Sequence, residues 1–492
     1  MIAIVPRPVE LSVHEDPPVH VTSATRVLTG GSPHEAQLGV LLAQILGRLA
    51  GRTVTVVNGE SEARPGDFLL VIDPHCGPEG SASEERYSFD STGGRVVLRA
   101  ATPVAAARAL STMDQLLELT ELGTWAIPAV RVADAPRYPW RGLSLDLARH
   151  FFGPEDLRRV MSLMARYKLN VLHLHLTDDQ GWRLDVPGRP ELAALGSRTS
   201  VGGGPGGYLT MADLHEIQAY AAVRGILVVP EVDVPGHTNA ALHAVPALNP
   251  DGVARPEYTG IEVGFSTLDP SLPATDDFLR DVFGAVAEGT WGNFVHLGGD
   301  EAHGTSKEDY EAVVSRAAQI LREAGKTPVG WQEFASSPAS REGVVQVWDT
   351  SLDLEPVRRA AEEGALVVLS PATHVYLDMK FHEGFPLGLE WAGRFEVREA
   401  YDWEPEEAVP GLDPSAILGV EGAVWTETLS TFDELSTMLL PRLLAVCEVA
   451  WTRPELRGWD DFAARVAAHQ PMWRRLRLSW YPSPQVPWDA VP

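Results

Sequence analysis

TMADLHEIQAYAAVRGILVVPEVD, residues 210–233, carries the pattern on which the fold turns. A segment with apolar residues at helical spacing runs into a short apolar stretch, ILVVPEVD (226–233), that ends in carboxylates. The unit recurs. Upstream lie GLSLDLAR (142–149) and VLHLHLTDD (171–179), and downstream FVHLGGDE (294–301), TPVGWQE (327–333), VVQVWD (344–349), ALVVLSP (365–371) and ILGVEGAVWTE (417–427). Amphipathic segments such as PEDLRRVMSLMARYK (154–168) and SKEDYEAVVSRAAQILREAG (306–325) separate them. Eight strand-like runs alternating with helical patterns predict an α/β fold, a (β/α)8 TIM barrel. A doubly wound sheet is the rival, but each run here is apolar at its start and polar or aromatic at its end. A barrel gathers those ends on one face, where barrel enzymes keep their chemistry.

Residues 1–134 read differently, as a small α+β domain preceding the barrel. TVTVVN (53–58), DFLLVID (67–73) and RVVLRAA (95–101) are β-rich runs. Helices are expected after Pro33, up to Gly51, and over 103–119. The Pro-punctuated ADAPRYPW (133–140) reads as a linker into a second unit, 135–492, comprising the barrel and a C-terminal helical extension.

Composition sets limits. Of 492 residues 45% are hydrophobic and 22% charged, with 14 Trp, which suits a large folded core and excludes a disordered chain. Forty basic against 67 acidic residues leave a net charge of −27. That balance argues against nucleic acid and against an anionic membrane surface as partners. Cys76 and Cys447 are too few and too far apart for a disulfide framework or a structural zinc site. No apolar run reaches the roughly 20 residues of a membrane span. The start, MIAIVPRPVELS, lacks the pattern of a signal peptide, so a cytoplasmic location is expected for the chain as given, or a secreted one if a leader was removed.

The strand ends hold the candidate chemistry. HLGGDEAH (296–303) places two glycines and then two adjacent carboxylates, Asp300 and Glu301, after a strand. Arg149, Asp178, Asp179, Glu231, Asp233, Asp349 and Glu427 end other runs, and Trp331, Trp348 and Trp425 fall at or near three of them. Acceptors for hydroxyls beside flat apolar rings are what a carbohydrate site requires. His173 and His175 form an HxH that suggests a metal-dependent hydrolase, but no lysine ends a middle strand to complete such a ligand set. They are read as filler of the barrel core, and no metal or organic cofactor is implied. GGGPGG (202–207) lacks the GK[ST] of a phosphate loop and is expected to be a flexible turn near the site mouth.

LDLARHF (145–151), HLHLTDDQGWR (173–183), VVPEVDVPGHTNAAL (228–242), HLGGDEAH, VGWQE (329–333), VQVWD (345–349), YLDMK (376–380) and GVEGAVWTET (419–428) resemble, in order, glycoside hydrolase family 20 β-N-acetylhexosaminidases. The resemblance implies Glu301 as general acid and base. It implies that Asp300 and Tyr376 orient the substrate's own 2-acetamido group as nucleophile, the substrate-assisted exception among glycosidases. It further implies Trp331, Trp348 and Trp425 around the sugar, and Arg149, Asp378 and Glu427 on its outer hydroxyls. Arg141, at the start of its strand, is the less suited arginine. Asp178, with Asp179 as the alternative, and His237 would form a supporting pair. Segments 249–265 and 381–393 would shape outer subsites. The implied activity is exo-acting, retaining removal of terminal β-linked N-acetylglucosamine, and N-acetylgalactosamine, from chitooligosaccharides or glycoconjugates. A lacto-N-biosidase and a non-catalytic glycan-binding barrel are the alternatives.

Overall fold

The computed structural model describes residues 2–59, 63–121 and 123–490. Its centre is a closed barrel of eight parallel strands: β1 (Trp140–Asp146), β2 (Val171–His175), β3 (Leu227–Glu231), β4 (Phe294–His296), β5 (Thr327–Trp331), β6 (Val344–Val347), β7 (Leu366–Leu369) and β8 (Ile417–Val424). Each coincides with one of the eight apolar runs. Helices Pro154–Arg166, Met211–Ala222, Pro273–Gly289 and Lys307–Glu323 cover the first connections. The β5–β6 connection differs: the dozen residues there form two short 3₁₀ turns, Gln332–Ser336 and Pro338–Glu342, in place of a helix. The fully buried helix Arg442–Trp451 closes the ring behind β8.

The barrel interior is layered. Trp140, Val171, Val229, Val329, Val344 and Val368 plug the end where the strands begin. Above them lies a buried polar layer. Glu421 accepts hydrogen bonds from Trp140 Nε1 (2.8 Å), His173 Nδ1 (2.8 Å) and Gln346 Nε2 (2.9 Å). Glu231 accepts from His175 Nδ1 (2.7 Å) and Trp331 Nε1 (2.8 Å) and pairs with His173 Nε2 (2.9 Å). His173 and His175 therefore do more than fill space. Buried carboxylates need such partners to be tolerated at all.

The N-terminal domain is a seven-stranded mixed sheet in the order Glu10–Val13, Val130–Asp134, Tyr87–Asp90, Val96–Ala100, Phe68–Ile72, Arg26–Thr29, Thr55–Asn58. Helix Pro33–Ala50 starts at a capping box, with Ser32 and Glu35 bonding each other's backbone N–H. The second helix stops at Leu116 rather than 119, because Glu118–Leu119 leaves to pair with Trp125–Ile127. ADAPRYPW is also more than a linker. Ala133 and Asp134 finish a sheet strand, and Trp140 already begins β1.

Asp134 anchors the junction between the domains. Its carboxylate takes Lys168 Nζ (2.9 Å), Tyr87 OH (2.6 Å) and Trp451 Nε1 (2.9 Å). Nearby, Glu85 accepts from Arg108 Nε (2.6 Å) and from Arg141 NH2 (2.6 Å) and NH1 (3.0 Å). Arg141 thus lies at the barrel end away from the strand C-termini. Among the described residues no helix is long and apolar enough to cross a membrane.

Candidate active site

The chain after β4 is shaped by glycine. Gly298 has φ +70, and a Cβ there would lie 1.8 Å from Asp233 Oδ1. Only glycine permits this approach, which lets Gly299 N donate to Asp233 at 2.8 Å. Glu301 itself sits at φ +44 and His237 at φ +54, left-handed conformations that are costly without glycine. Such strain persists where surrounding contacts over-determine it, commonly at functional sites.

The turn delivers Asp300 and Glu301 to one side of a cavity of about 310 Å³ over the strand C-termini. His237 Nε2 lies 3.7 Å from Asp300 Oδ2 and 3.6 Å from Glu301 Oε2. Its other nitrogen faces Asp178 at 3.1 Å. Asp178 also pairs with His175 Nε2 (2.9 Å) and Arg149 NH2 (2.8 Å). Asp179 points elsewhere, accepting from Ser266 Oγ (2.5 Å) and Asn239 N (2.9 Å), so it braces loops. Between the two acids, the one touching His237 is Asp178.

Burial and the adjacent Asp300 charge push Glu301 up from its ordinary value, which favours its protonated form. Burial works against the His237 cation, but Asp178 and Asp300 outweigh it and raise its pKa well above the usual range. Burial opposes the Asp178 charge too, yet Arg149 and His237 hold this carboxyl well below normal. Asp300 Oδ1 is buried and has no hydrogen-bond partner among the described residues.

Aromatic rings complete the cavity. Trp348, Tyr376, Trp391 and Trp425 line it, with Arg149 and Glu427. The Arg149 guanidinium lies 5.0 Å over the Trp425 ring, and Asp146 accepts Arg149 N at 3.2 Å. Trp331 and Asp378 do not line the cavity. Trp331 is buried behind Trp425, 5.8 Å between ring centroids, with its indole N–H on Glu231. Burial and neighbouring Glu427 drive the Asp378 carboxyl well above the carboxylate range.

Four further residues join the site, three of them from segments 249–265 and 381–393. Ile261 and Val263 from segment 249–265 wall one side. Trp391, half exposed, packs edge-on against Trp348 (5.9 Å) and Tyr376 (5.7 Å). Glu333 follows β5 and accepts from Trp348 Nε1 at 3.3 Å. The motif VGWQE already contained it. The end of the GGGPGG turn is tied to its neighbours. Gly206 N and Gly207 N bond Arg198 O and Ser197 O, and a Cβ on Gly207 would lie 2.3 Å from the Phe151 ring.

A family model described as glycosyl hydrolase family 20, catalytic domain, matches residues 138–454, and one described as glycosyl hydrolase family 20, domain 2, matches residues 1–135. The chain belongs to glycosyl hydrolase family 20. It is 50% identical over 489 residues to a beta-N-acetylhexosaminidase of Cellulomonas fimi, covering 99% of this chain and 98% of that protein. The structure of the family 20 beta-N-acetylhexosaminidase from Streptomyces coelicolor A3(2) superposes with a TM-score of 0.92 at 40% identity, covering 99% of both chains. A Streptomyces plicatus beta-hexosaminidase mutant in complex with product (GlcNAc) gives 0.93 at 41%, covering 99% of this chain and 98% of that one. This family 20 member is accordingly a glycoside hydrolase.

Proposed function

We propose that this glycoside hydrolase is an exo-acting, retaining β-N-acetylhexosaminidase that removes terminal β-linked N-acetylglucosamine, and N-acetylgalactosamine, by substrate-assisted catalysis. The observation that carries the reading is the placement of Asp300 and Glu301 on one turn, both facing the same His237 nitrogen at 3.7 and 3.6 Å. A retaining pair must flank the scissile bond from opposite sides, about 5 Å apart. Two side-by-side carboxylates suit another division of labour.

Glu301, its pKa raised, protonates the glycosidic oxygen while the substrate's acetamido oxygen attacks the anomeric carbon. The C–O bond breaks, the leaving alcohol departs with Glu301's proton, and a cyclic oxazolinium forms. Asp300, with its free buried Oδ1, accepts the acetamido N–H and balances the positive charge. Glu301, now a base, activates the water that opens the ring. Tyr376 donates to the acetamido oxygen, and Trp348 and Trp425, the latter backed by Trp331, hold the sugar and its acetamido group in near-attack geometry. Arg149 and Glu427 take the outer hydroxyls, with Asp378 set behind the lining beside Glu427, while Asp178 and His237 support the acid. A cavity of about 310 Å³ is at the small end for ligand pockets, which supports binding of one terminal sugar.

The test is a panel of chromogenic glycosides with a cyclised thiazoline mimic of the intermediate. N-acetylglucosaminide and N-acetylgalactosaminide should be cleaved, plain glucoside and lacto-N-bioside spared, and the thiazoline should inhibit competitively. Equal turnover of the plain glucoside would sink substrate assistance.

A further inference from the structure

The three residues that follow Gly330 reach both neighbouring strands. Trp331 N donates to Gly298 O at 2.9 Å, fastening the catalytic turn. Gln332 Oε1 accepts from Trp348 N (3.2 Å) and Asp349 N (3.0 Å), and its Nε2 donates to Asp349 O (3.0 Å), fastening the end of β6. Glu333 spans the two. Its Oε1 accepts from Glu301 N at 3.4 Å and its Oε2 from Trp348 Nε1 at 3.3 Å. Tyr310 OH, donating to Gly299 O at 2.9 Å, steadies the turn from the other side.

We propose that Glu333 is a positioning residue for the reaction: one carboxylate ties the strained backbone of Glu301 to the indole wall of the sugar cavity. The assignment rests on Glu301 being the general acid. Glu301 needs such a tie, because φ +44 is held only by its surroundings. Each bond is long and weak alone, but a single truncation removes both. The carboxyl also belongs to the site's electrostatic cluster, since burial and Asp300 push it up to about 7.

The experiment compares Glu333→Ala, Glu333→Gln and Glu301→Gln on an alkyl and a dinitrophenyl N-acetylglucosaminide, with Tm for each variant. A poor leaving group needs a well-placed acid, and a good one does not. Glu333→Ala should lower kcat on the alkyl glycoside about 10–100-fold, far more than on the dinitrophenyl one, and raise KM as Trp348 loosens. Glu333→Gln keeps the shape and one acceptor, so it should recover most of kcat while retaining a smaller leaving-group-dependent deficit. Equal losses on both substrates, or rates near wild type, would overturn the proposal. If Glu333→Ala fails to fold, Glu333→Gln decides: a selective deficit supports the role, and an unselective or absent one removes it. Glu301→Gln separates the two ideas. Without leaving-group selectivity in Glu301→Gln, the general-acid reading fails; with it there but absent in the Glu333 variants, only the positioning role fails.

Discussion

The barrel buries charge at both ends, and the two ends treat it differently. Where the strands begin, Lys168, Asp134, Tyr87 and Trp451 satisfy one another, and Glu85 is gripped by Arg108 and Arg141. Burial opposes the Glu85 charge, but the two guanidinium groups win and hold its pKa at about 2. Where the strands end, Asp233, Asp300, Glu301 and Glu333 crowd together, and burial plus Asp300 raises the other three. At one end the acids are paired with cations, and for Glu85 folding favours the charge. At the other, acids outnumber cations and folding favours protons on Asp233, Glu301 and Glu333, while Asp178, paired with Arg149 and His237, keeps its charge. The first arrangement stabilises the junction between domains; the second stores reactivity at a cost in stability.

The comparison is broken most sharply by Glu301→Gln. Removing the proton donor should cost about 10²–10⁴ in kcat on substrates with poor leaving groups, while binding survives. Steady-state kinetics with direct measurement of inhibitor affinity checks this, and near-normal turnover contradicts the assignment. Next comes Lys168→Met at the opposite end. It leaves Asp134 buried without its cation, so unfolding free energy should fall by about 3–5 kcal/mol. Because Lys168 is remote from the cavity, kcat of the folded enzyme should stay at wild type. A Tm unchanged by the substitution would show that the junction is not the anchor described.

One side of this contrast, the acidic strand ends, is legible in the residues, and the other is not, for physical causes. The eight barrel strands could be read because parallel strands covered on both faces are apolar for most of their length. Asp300 and Glu301 stood out because glycines precede them. Strands Glu10–Val13 and Val130–Asp134 escaped notice. The first is only four residues long and exposed along its whole length, and the second runs into prolines that suggested a linker. The anchor at Asp134 depends on Tyr87, Lys168 and Trp451, partners far apart in sequence, so no local pattern announces it. Trp391 and Glu333 were hidden for the same reason. Their residue types were plain, but their meaning lies in contacts with Tyr376, Trp348 and Glu301 made only on folding.

Acid should then tell the two ends apart. Glu85 has a folded pKa of about 2 against an ordinary 4.5, and its side chain is only 13% exposed. A depressed carboxyl contributes stability above its unfolded value and loses it as pH falls towards the folded one. About 3 kcal/mol should therefore drain away between roughly pH 4.5 and 2. In denaturation curves the stability gap between wild type and Glu85→Gln should narrow over that window. A gap that persists unchanged to pH 2 would refute the attribution.

The smallest effect is the most diagnostic, because its sign is opposite. Glu301's pKa is raised, so folding favours its neutral form, and the penalty grows as pH rises through the folded value. Glutamine removes the charge and with it the repulsion from Asp300, at the expense of the weaker attraction to His237. The side chain is 30% exposed, so solvent screens much of this. The gain at neutral pH should be no more than about 1 kcal/mol, a Tm rise on the order of 1–2 °C in a chain of this size. It should vanish on acidification, as wild-type Glu301 takes up its own proton. Glu301→Gln should thus be the less active and the more stable enzyme at pH 7. A destabilised Glu301→Gln would mean that the His237 contact outweighs the crowding, and that the catalytic end is built on paired charge like the junction.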